Sequence, residues 1–256
     1  MTRATQYDHA QVTIYNSNNA LGAAAADDLA TILNQTIATH GEAAVILATG
    51  NSQLAFLRAL CSRADIDWGS VRVFHMDEYL GMSEQHPASF RRYLHQHLID
   101  IVRPRTFYGI AGDSPDVGAE LLRYTKLLNT YKPVACVLGI GENGHLAFND
   151  PPADFNSDQL IHIVTLAEAC RQQQVGEGYF PTLEAVPRQA ISLTIPALLM
   201  QPHVLAVVPE ARKARAVHAA LEAPVTPDCP ASILRTVSHV KLYLDPDSAA
   251  LLQQFA

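Results

Sequence analysis

The stretch VACVLGIGENGHLAFNDPP, residues 134–152, decides how the rest of the chain is read. Its first part, Val134–Ile140, is a continuous apolar run, which suits a strand covered on both faces of a parallel sheet. Its second part formally matches G-x-G-x-x-G at Gly139, Gly141 and Gly144. A dinucleotide site needs a helix to open there, so that the helix N-terminus meets the pyrophosphate. Here Asn149-Asp150-Pro151-Pro152 ends any helix within two turns, and the polar groups of His145 and Asp150 intervene. The glycines therefore read as a backbone-permissive loop that presents one His and one acid beyond a strand end. A carboxylate near a His orients the ring and raises its basicity, so His145 and Asp150 form a candidate acid–base pair.

Outward from this loop, short β-type runs alternate with helical patterns. Strands are expected at Gln11–Tyr15, Ala43–Leu47, Val71–Met76, Thr106–Ile110, Leu160–Val164, Ala190–Thr194, His203–Val208 and Val240–Leu244. Helices are expected at Asn18–Thr39, Gln53–Ser62, Ala88–Ile101, Pro115–Tyr131, Glu210–Glu222 and Ser248–Phe255. The alternation predicts an α/β fold, a mostly parallel sheet with helices on both faces, as a single domain over residues 1–256. Ligands of such sheets bind beyond the carboxyl ends of the strands, so polar clusters there belong to one crevice if the strands are neighbours.

Two further clusters meet that condition. Thr49-Gly50-Asn51-Ser52 follows a buried strand and precedes a helix. Small residues let backbone N–H groups approach an anion, and the helix adds the positive end of its dipole. The same stretch also fits an ordinary strand–helix turn capped by Ser52. His75-Met76-Asp77-Glu78-Tyr79 ends a strand in two adjacent acids. A partly buried carboxylate there gains a raised pKa suited to proton abstraction, or one acid caps the next turn while the other is solvated. Lys213 lies early in a helix after a strand, and reads as either a phosphate contact or a solvated surface charge. Arg171, beside Gln172–Gln174, reads as either a ligand contact or a surface charge.

A net charge of −7, with 18 Lys and Arg scattered, argues against a nucleic-acid partner. An anionic ligand must be met by a few local donors. Cys61, Cys136, Cys170 and Cys229 show no metal or redox spacing and read as reduced, packed thiols. No His pair has zincin spacing, so no metal is expected. No apolar run reaches membrane-spanning length, and MTRATQYDHA lacks a signal core, which predicts a cytoplasmic protein without a membrane partner. Monomer and homo-oligomer both fit.

The blocks Thr49-Gly50-Asn51-Ser52, MDEYLG at 76–81 with HPASF at 86–90, GIGENGHLAFNDP at 139–151, and Lys213 occur in this order over nearly the whole chain. In them the chain resembles the glucosamine-6-phosphate deaminases (isomerising), within the wider group that includes 6-phosphogluconolactonases. The resemblance implies a modified Rossmann-like fold of the sugar-phosphate isomerase type. It also implies conversion of glucosamine 6-phosphate to fructose 6-phosphate and ammonia, with no cofactor. It assigns Asp77 as the base moving a proton between carbons 1 and 2. His145 would open the sugar ring, Asp150 would tune His145, and Asn143 would stand beside them. Gly50, Asn51, Ser52 and Lys213 would hold the phosphate, with Thr49, Gly141 and Gly144 around them.

Three departures from the family pattern stand out. The tuning acid is usually Glu, so Asp150 should reach His145 over a longer distance. The phosphate loop usually reads Gly-Gly-Thr-Pro. A phosphate Arg usually lies in the segment aligned with Cys170–Phe180, where only Arg171 is available. Galactosamine 6-phosphate is a further substrate candidate. Lactone hydrolysis is disfavoured because the lactonases usually have Arg where this chain has Tyr79. A sugar-phosphate sensor would need a DNA-binding module, and the first 45 residues show none. The basic cluster that serves allosteric activation in some members has no match after Asp150, so a non-allosteric enzyme is expected.

Overall fold

The computed structural model describes residues 2–253. The chain opens with a hairpin, β1 (Arg3–Tyr7) and β2 (Ala10–Ile14). Only the second strand is legible in the sequence, because β1 is a mostly exposed edge strand with no apolar side to bury. Helix α1 (Asn18–His40) starts where Ser17 Oγ accepts from Ala20 N–H and stops at Gly41, in the left-handed conformation. Then follow β3 (Ala43–Leu47), a 3₁₀ turn at Asn51–Gln53, α2 (Leu54–Cys61), β4 (Val71–His75) and β5 (Asp77–Tyr79).

Helix α3 (Phe90–Leu94) is capped by Ser89 and passes through a π-helical turn at His95–Ile99 into α4 (Asp100–Val102). It starts two residues after the expected Ala88. The second half of the chain contains β6 (Thr106–Tyr108), α5 (Val117–Tyr131), β7 (Ala135–Leu138), β8 (Ile161–Thr165) and α6 (Glu168–Gly176). It ends with β9 (Gln189–Leu193), α7 (Ile195–Leu199), β10 (His203–Val208), α8 (Ala214–Glu222) and β11 (Val240–Leu244). Helix α5 begins after Asp116, whose carboxylate accepts from Ala119 N–H, so Pro115 lies just outside it. The helix expected at Glu210–Glu222 is a 3₁₀ turn at Ala211–Lys213 followed by α8. In place of the last expected helix, residues 246–251 form turns pinned by Ser248 on Asp245, and residues 254 and 255 lie outside the described ones.

The main sheet has the order β1-β2-β11-β10-β7-β3-β4-β6, and every pair except β1–β2 is parallel. Strand alternation divides the core into two layers. Val45, Leu47, Val137, Leu205 and Val207 face α1, α2 and the helix through Leu98. Ala44, Ile46, Cys136, Leu138, Val204 and Ala206 face α5, α7 and α8. Helices thus cover both faces, as the alternation predicts. A second sheet, in the order β5-β9-β8, is antiparallel and continues from the end of β4. No described helix is long and apolar enough to cross a membrane.

The layer beneath α1 depends on close contact with α2. A Cβ at Gly22 would lie 2.6 Å from the Ala55 carbonyl carbon and 2.7 Å from Phe56 N. Ala in place of mid-helix Gly ordinarily stabilises by about 1 kcal/mol. Here overpacking against backbone should reverse the sign and cost about 1–3 kcal/mol. Urea denaturation of Gly22→Ala checks this, and a gain in stability would refute the close-packing account.

Candidate active site

Sheet order brings the polar strand ends together. Strand β3 leads to β4 and β6 on one side, while β7 leads to β10 and β11 on the other, so the order reverses between β3 and β7. A crevice opens at such a reversal, outside the carboxyl ends of the strands. The ends of β10, β7, β3 and β4 carry Lys213, the Gly139–Asp150 loop, Thr49–Ser52 and Asp77, and they surround one cavity.

Asp77 and Glu78 are separated by strand alternation. Asp77 is only 6% exposed and lines the cavity. Burial, and then the charge of Glu78, raise its pKa well above the ordinary carboxylate value. Among the described residues nothing donates a hydrogen bond to its carboxylate. Glu78 turns the other way. Its Oε1 accepts from Tyr79 N–H (3.0 Å) and Phe90 N–H (3.2 Å), and its Oε2 from Ser89 Oγ (2.8 Å) and Arg91 N–H (3.1 Å). The second acid is therefore the helix cap, and it is buried rather than solvated.

The Gly139–Asp150 segment forms turns with no helix, which removes the dinucleotide reading. Within it, the His145 ring lies against the backbone of Gly141. A Cβ there would sit 2.2–2.3 Å from three ring atoms, so only glycine leaves room for the ring. Asn143 Oδ1 accepts from His145 N–H, and Asn143 Nδ2 donates to Asp150 Oδ1 at 3.0 Å. Asp150 Oδ2 accepts from Ala167 N–H. His145 Nδ1 stands 3.4 Å from Asp150 Oδ1, within ion-pair range but without hydrogen-bond geometry. Burial opposes the charge of Asp150. The His145 ring, Asn143 and the Ala167 N–H outweigh it and hold the carboxyl below its usual value.

At the other end of the cavity, Thr49, Gly50, Asn51 and Ser52 form the wall before α2. Tyr93 donates to the Gly50 carbonyl and Tyr179 to Asn51 Oδ1, which fixes the loop. Lys213 is 4% exposed, and among the described residues its ammonium makes no hydrogen bond or contact ion pair. Burial, then the neighbouring Arg212, lower its pKa. A buried cation left open toward a cavity is costly alone and favourable once an anion arrives.

Of the residues singled out from the sequence, Thr49, Gly50, Asn51, Ser52, Asp77, Gly141, His145 and Lys213 line this cavity. Asn143 and Asp150 stand behind His145, and Gly144 packs toward Cys229. Arg171 does not line it. Its guanidinium donates to the carbonyls of Leu183 and Val186. The sequence reading missed α6 and the segment after it, which bring Gln173, Gln174, Glu177 and Tyr179 to the cavity. Glu177 Oε1 accepts from Gln173 Nε2 (2.8 Å) and Arg212 Nη1 (2.6 Å), tying α6 to the turn that carries Lys213. The signal was the run of polar residues itself, which has no core-facing stripe.

A carboxylate and a His facing an anion loop, across the switch point of a parallel sheet, define an α/β acid–base site for a small anionic ligand. The chain belongs to the family described as glucosamine-6-phosphate isomerases/6-phosphogluconolactonase, which matches residues 16–243. It is 37% identical over 227 residues to a glucosamine-6-phosphate deaminase of Exiguobacterium sibiricum, with 88% of each chain covered. It is 36% identical over 213 residues to one from a Geobacillus strain, covering 80% of this chain and 83% of that relative. Among solved structures, a monomeric glucosamine-6-phosphate deaminase matches with a TM-score of 0.85 and 29% identity, over 94% of this chain and 99% of that one. A 6-phosphogluconolactonase from Trypanosoma brucei shares the fold at a TM-score of 0.73 and 17% identity, over 98% and 100% of the two chains.

The environment of Asp77 has a measurable cost. Its folded pKa is raised, so its neutral form is favoured in the fold. That contribution is complete below the unfolded value of about 3.9 and is lost as pH rises toward the folded value. Asp77→Asn should therefore be more stable than the parent at pH 7–8, with the gap closing toward pH ~4. The difference between the two proteins cancels the opposite contribution of buried His75, whose pKa is lowered to about 3. Thermal unfolding against pH reads this, and equal stabilities at pH 8 would contradict it.

Proposed function

We propose that the protein converts glucosamine 6-phosphate and water to fructose 6-phosphate and ammonia, and that it needs no metal or organic cofactor to do so. The observation that carries this is the sharing of one cavity by three groups: a buried carboxylate, a His, and an unpaired ammonium beside a loop of small polar residues. The phosphate would lie against Thr49–Ser52 and Lys213, which places the sugar between Asp77 and His145. The same reading makes the chain a cytoplasmic enzyme of amino-sugar breakdown, acting as one domain over residues 1–256.

In this mechanism His145 gives a proton to the ring oxygen and the sugar opens. Asp77 takes the proton from C2 and returns it to C1, for which a raised pKa makes it a stronger base once ionised. The C2 imine that results adds water and releases ammonia. Asp150 and Asn143 act through His145, holding the ring and its charge. The two ends of the ligand thus have separate tasks. Phosphate binding supplies position, and the two proton carriers supply chemistry.

Lactone hydrolysis is the competing chemistry within the family. The position after the paired acids is Tyr79, which is fully buried with its hydroxyl donating to Gln174 Oε1 at 2.7 Å. No cation stands there to meet a lactone. Ammonia release from glucosamine 6-phosphate, coupled to detection of fructose 6-phosphate, tests the proposal. Asp77→Asn should lower kcat by about 10²- to 10⁴-fold. Lys213→Met should raise KM by about 10- to 100-fold, the loss expected for one bond to a charged group. No ammonia from glucosamine or galactosamine 6-phosphate, with rapid hydrolysis of 6-phosphogluconolactone, would overturn it.

A further inference from the structure

Behind the crevice lies a buried group that the proposed chemistry does not use. Cys170, on α6, is 1% exposed. Its Sγ, a ring nitrogen of His145 and a carboxylate oxygen of Asp150 all lie within 4.8 Å of one another. Among the described residues this is the one such grouping of three His, Cys, Asp or Glu donors. A second observation points the same way: His145 Nδ1 is buried without a hydrogen-bond partner, 3.4 Å from Asp150 Oδ1. Thiolate, imidazole and carboxylate are the donor types that zinc takes, at about 2.3, 2.0–2.1 and 2.0–2.2 Å. In a tetrahedral site such donors stand about 3.3–3.7 Å apart, so closure asks for the three donors to draw together by at most about 1.5 Å. His145 borders the cavity, while Asp150 and Cys170 stand behind its ring.

We propose that Cys170, His145 and Asp150 form an inhibitory site for a zinc-class divalent cation. The binding step balances simply. The Cys170 S–H bond breaks, its proton goes to solvent, and the thiolate and the Nδ1 lone pair bond the ion. The remaining imidazole proton then sits on Nε2, and the ring can no longer accept and return a proton. The ion also takes the charge of Asp150 that otherwise supports a protonated ring. In the metal-free protein, burial and the nearby Asp150 push the thiol pKa up, so Cys170 stays protonated and inert. The inhibitory consequence rests on His145 as the proton carrier of the proposed reaction. The binding site itself does not.

The test keeps the two apart. Zn²⁺ is titrated into the full-length, metal-free protein in a non-chelating buffer while ammonia release from glucosamine 6-phosphate is followed. Activity should fall by more than about tenfold and return on adding EDTA. Separately, Co²⁺ should give a thiolate charge-transfer band in the near ultraviolet, a readout that needs no activity. Cys170→Ser, with Cys170→Ala as the second variant should the first fold poorly, should lose the band. It should also raise the Zn²⁺ concentration for half-inhibition at least about tenfold. Cys61→Ser, at a half-buried thiol far along the sequence, should behave as the parent does. A band or a zinc sensitivity that survives loss of Cys170, or that disappears with Cys61→Ser, would overturn the proposal.

Discussion

Glu78 buries its whole carboxylate against the backbone N–H groups of Tyr79, Phe90 and Arg91 and the hydroxyl of Ser89, and the crevice takes its shape from that cluster. An unpaired charge at this depth would cost several kcal/mol, so the four hydrogen bonds and the nearby Arg91 guanidinium are a condition of folding. They tie β5 to the start of α3. Side chains of a strand alternate, so fixing Glu78 toward the helix turns Asp77 toward the cavity. A slip of one residue would exchange them, placing the capping acid in the crevice and Asp77 in the core. The β5–β9 pairing, with Asp77 opposite Ser192, holds the same register from the other edge. Ser192 Oγ in turn accepts from Phe148 N–H, so the loop carrying His145 is referenced to the strand carrying Asp77.

The anion end is built on a different balance. A chain with a net charge of −7 offers no general attraction for a phosphate. Attraction is concentrated at Lys213, whose burial without a contact partner is unfavourable until a ligand arrives. Arg212, the next cation in the chain, is occupied by Glu142, Glu177 and Glu210. Its role here is structural: it joins α6, the Gly139–Asp150 loop and the turn after β10. The absence of Arg171 from the cavity follows from similar economy, since its guanidinium holds the loop at Leu183 and Val186.

How much of this was legible depends on what each residue packs against. Val134–Ile140 and Ala43–Leu47 announce buried parallel strands because both faces are covered, and the order of those strands then places their polar ends together. Which of Asp77 and Glu78 faces the cavity and which caps the helix was open in the sequence. Tertiary contact with Ser89–Arg91 decides between the two. Helix α6 stayed hidden for the converse reason. Its buried residues are Cys170 and Gln174: Cys170 and the half-buried Val175 meet a small apolar cluster while Gln173 and Gln174 face the cavity, so too few apolar residues are left to mark a hydrophobic period. The edge strand β1 lacked a signal because it buries little.

The shorter acid at Asp150 shows how the site tolerates substitution. At 3.4 Å from Nδ1 it attracts the ring without gripping it, so orientation must come from elsewhere. A Cβ at Gly141 would stand 2.2–2.3 Å from three atoms of the His145 ring, so the ring occupies the space that the glycine leaves. Asn143 fixes both neighbours, accepting from the His145 backbone and donating to Asp150. Steric confinement and a bridging amide thus replace part of what a direct hydrogen bond would do. The charge of Asp150 remains, because the His145 ring, Asn143 and the Ala167 N–H hold its carboxyl below the usual value against the opposing effect of burial.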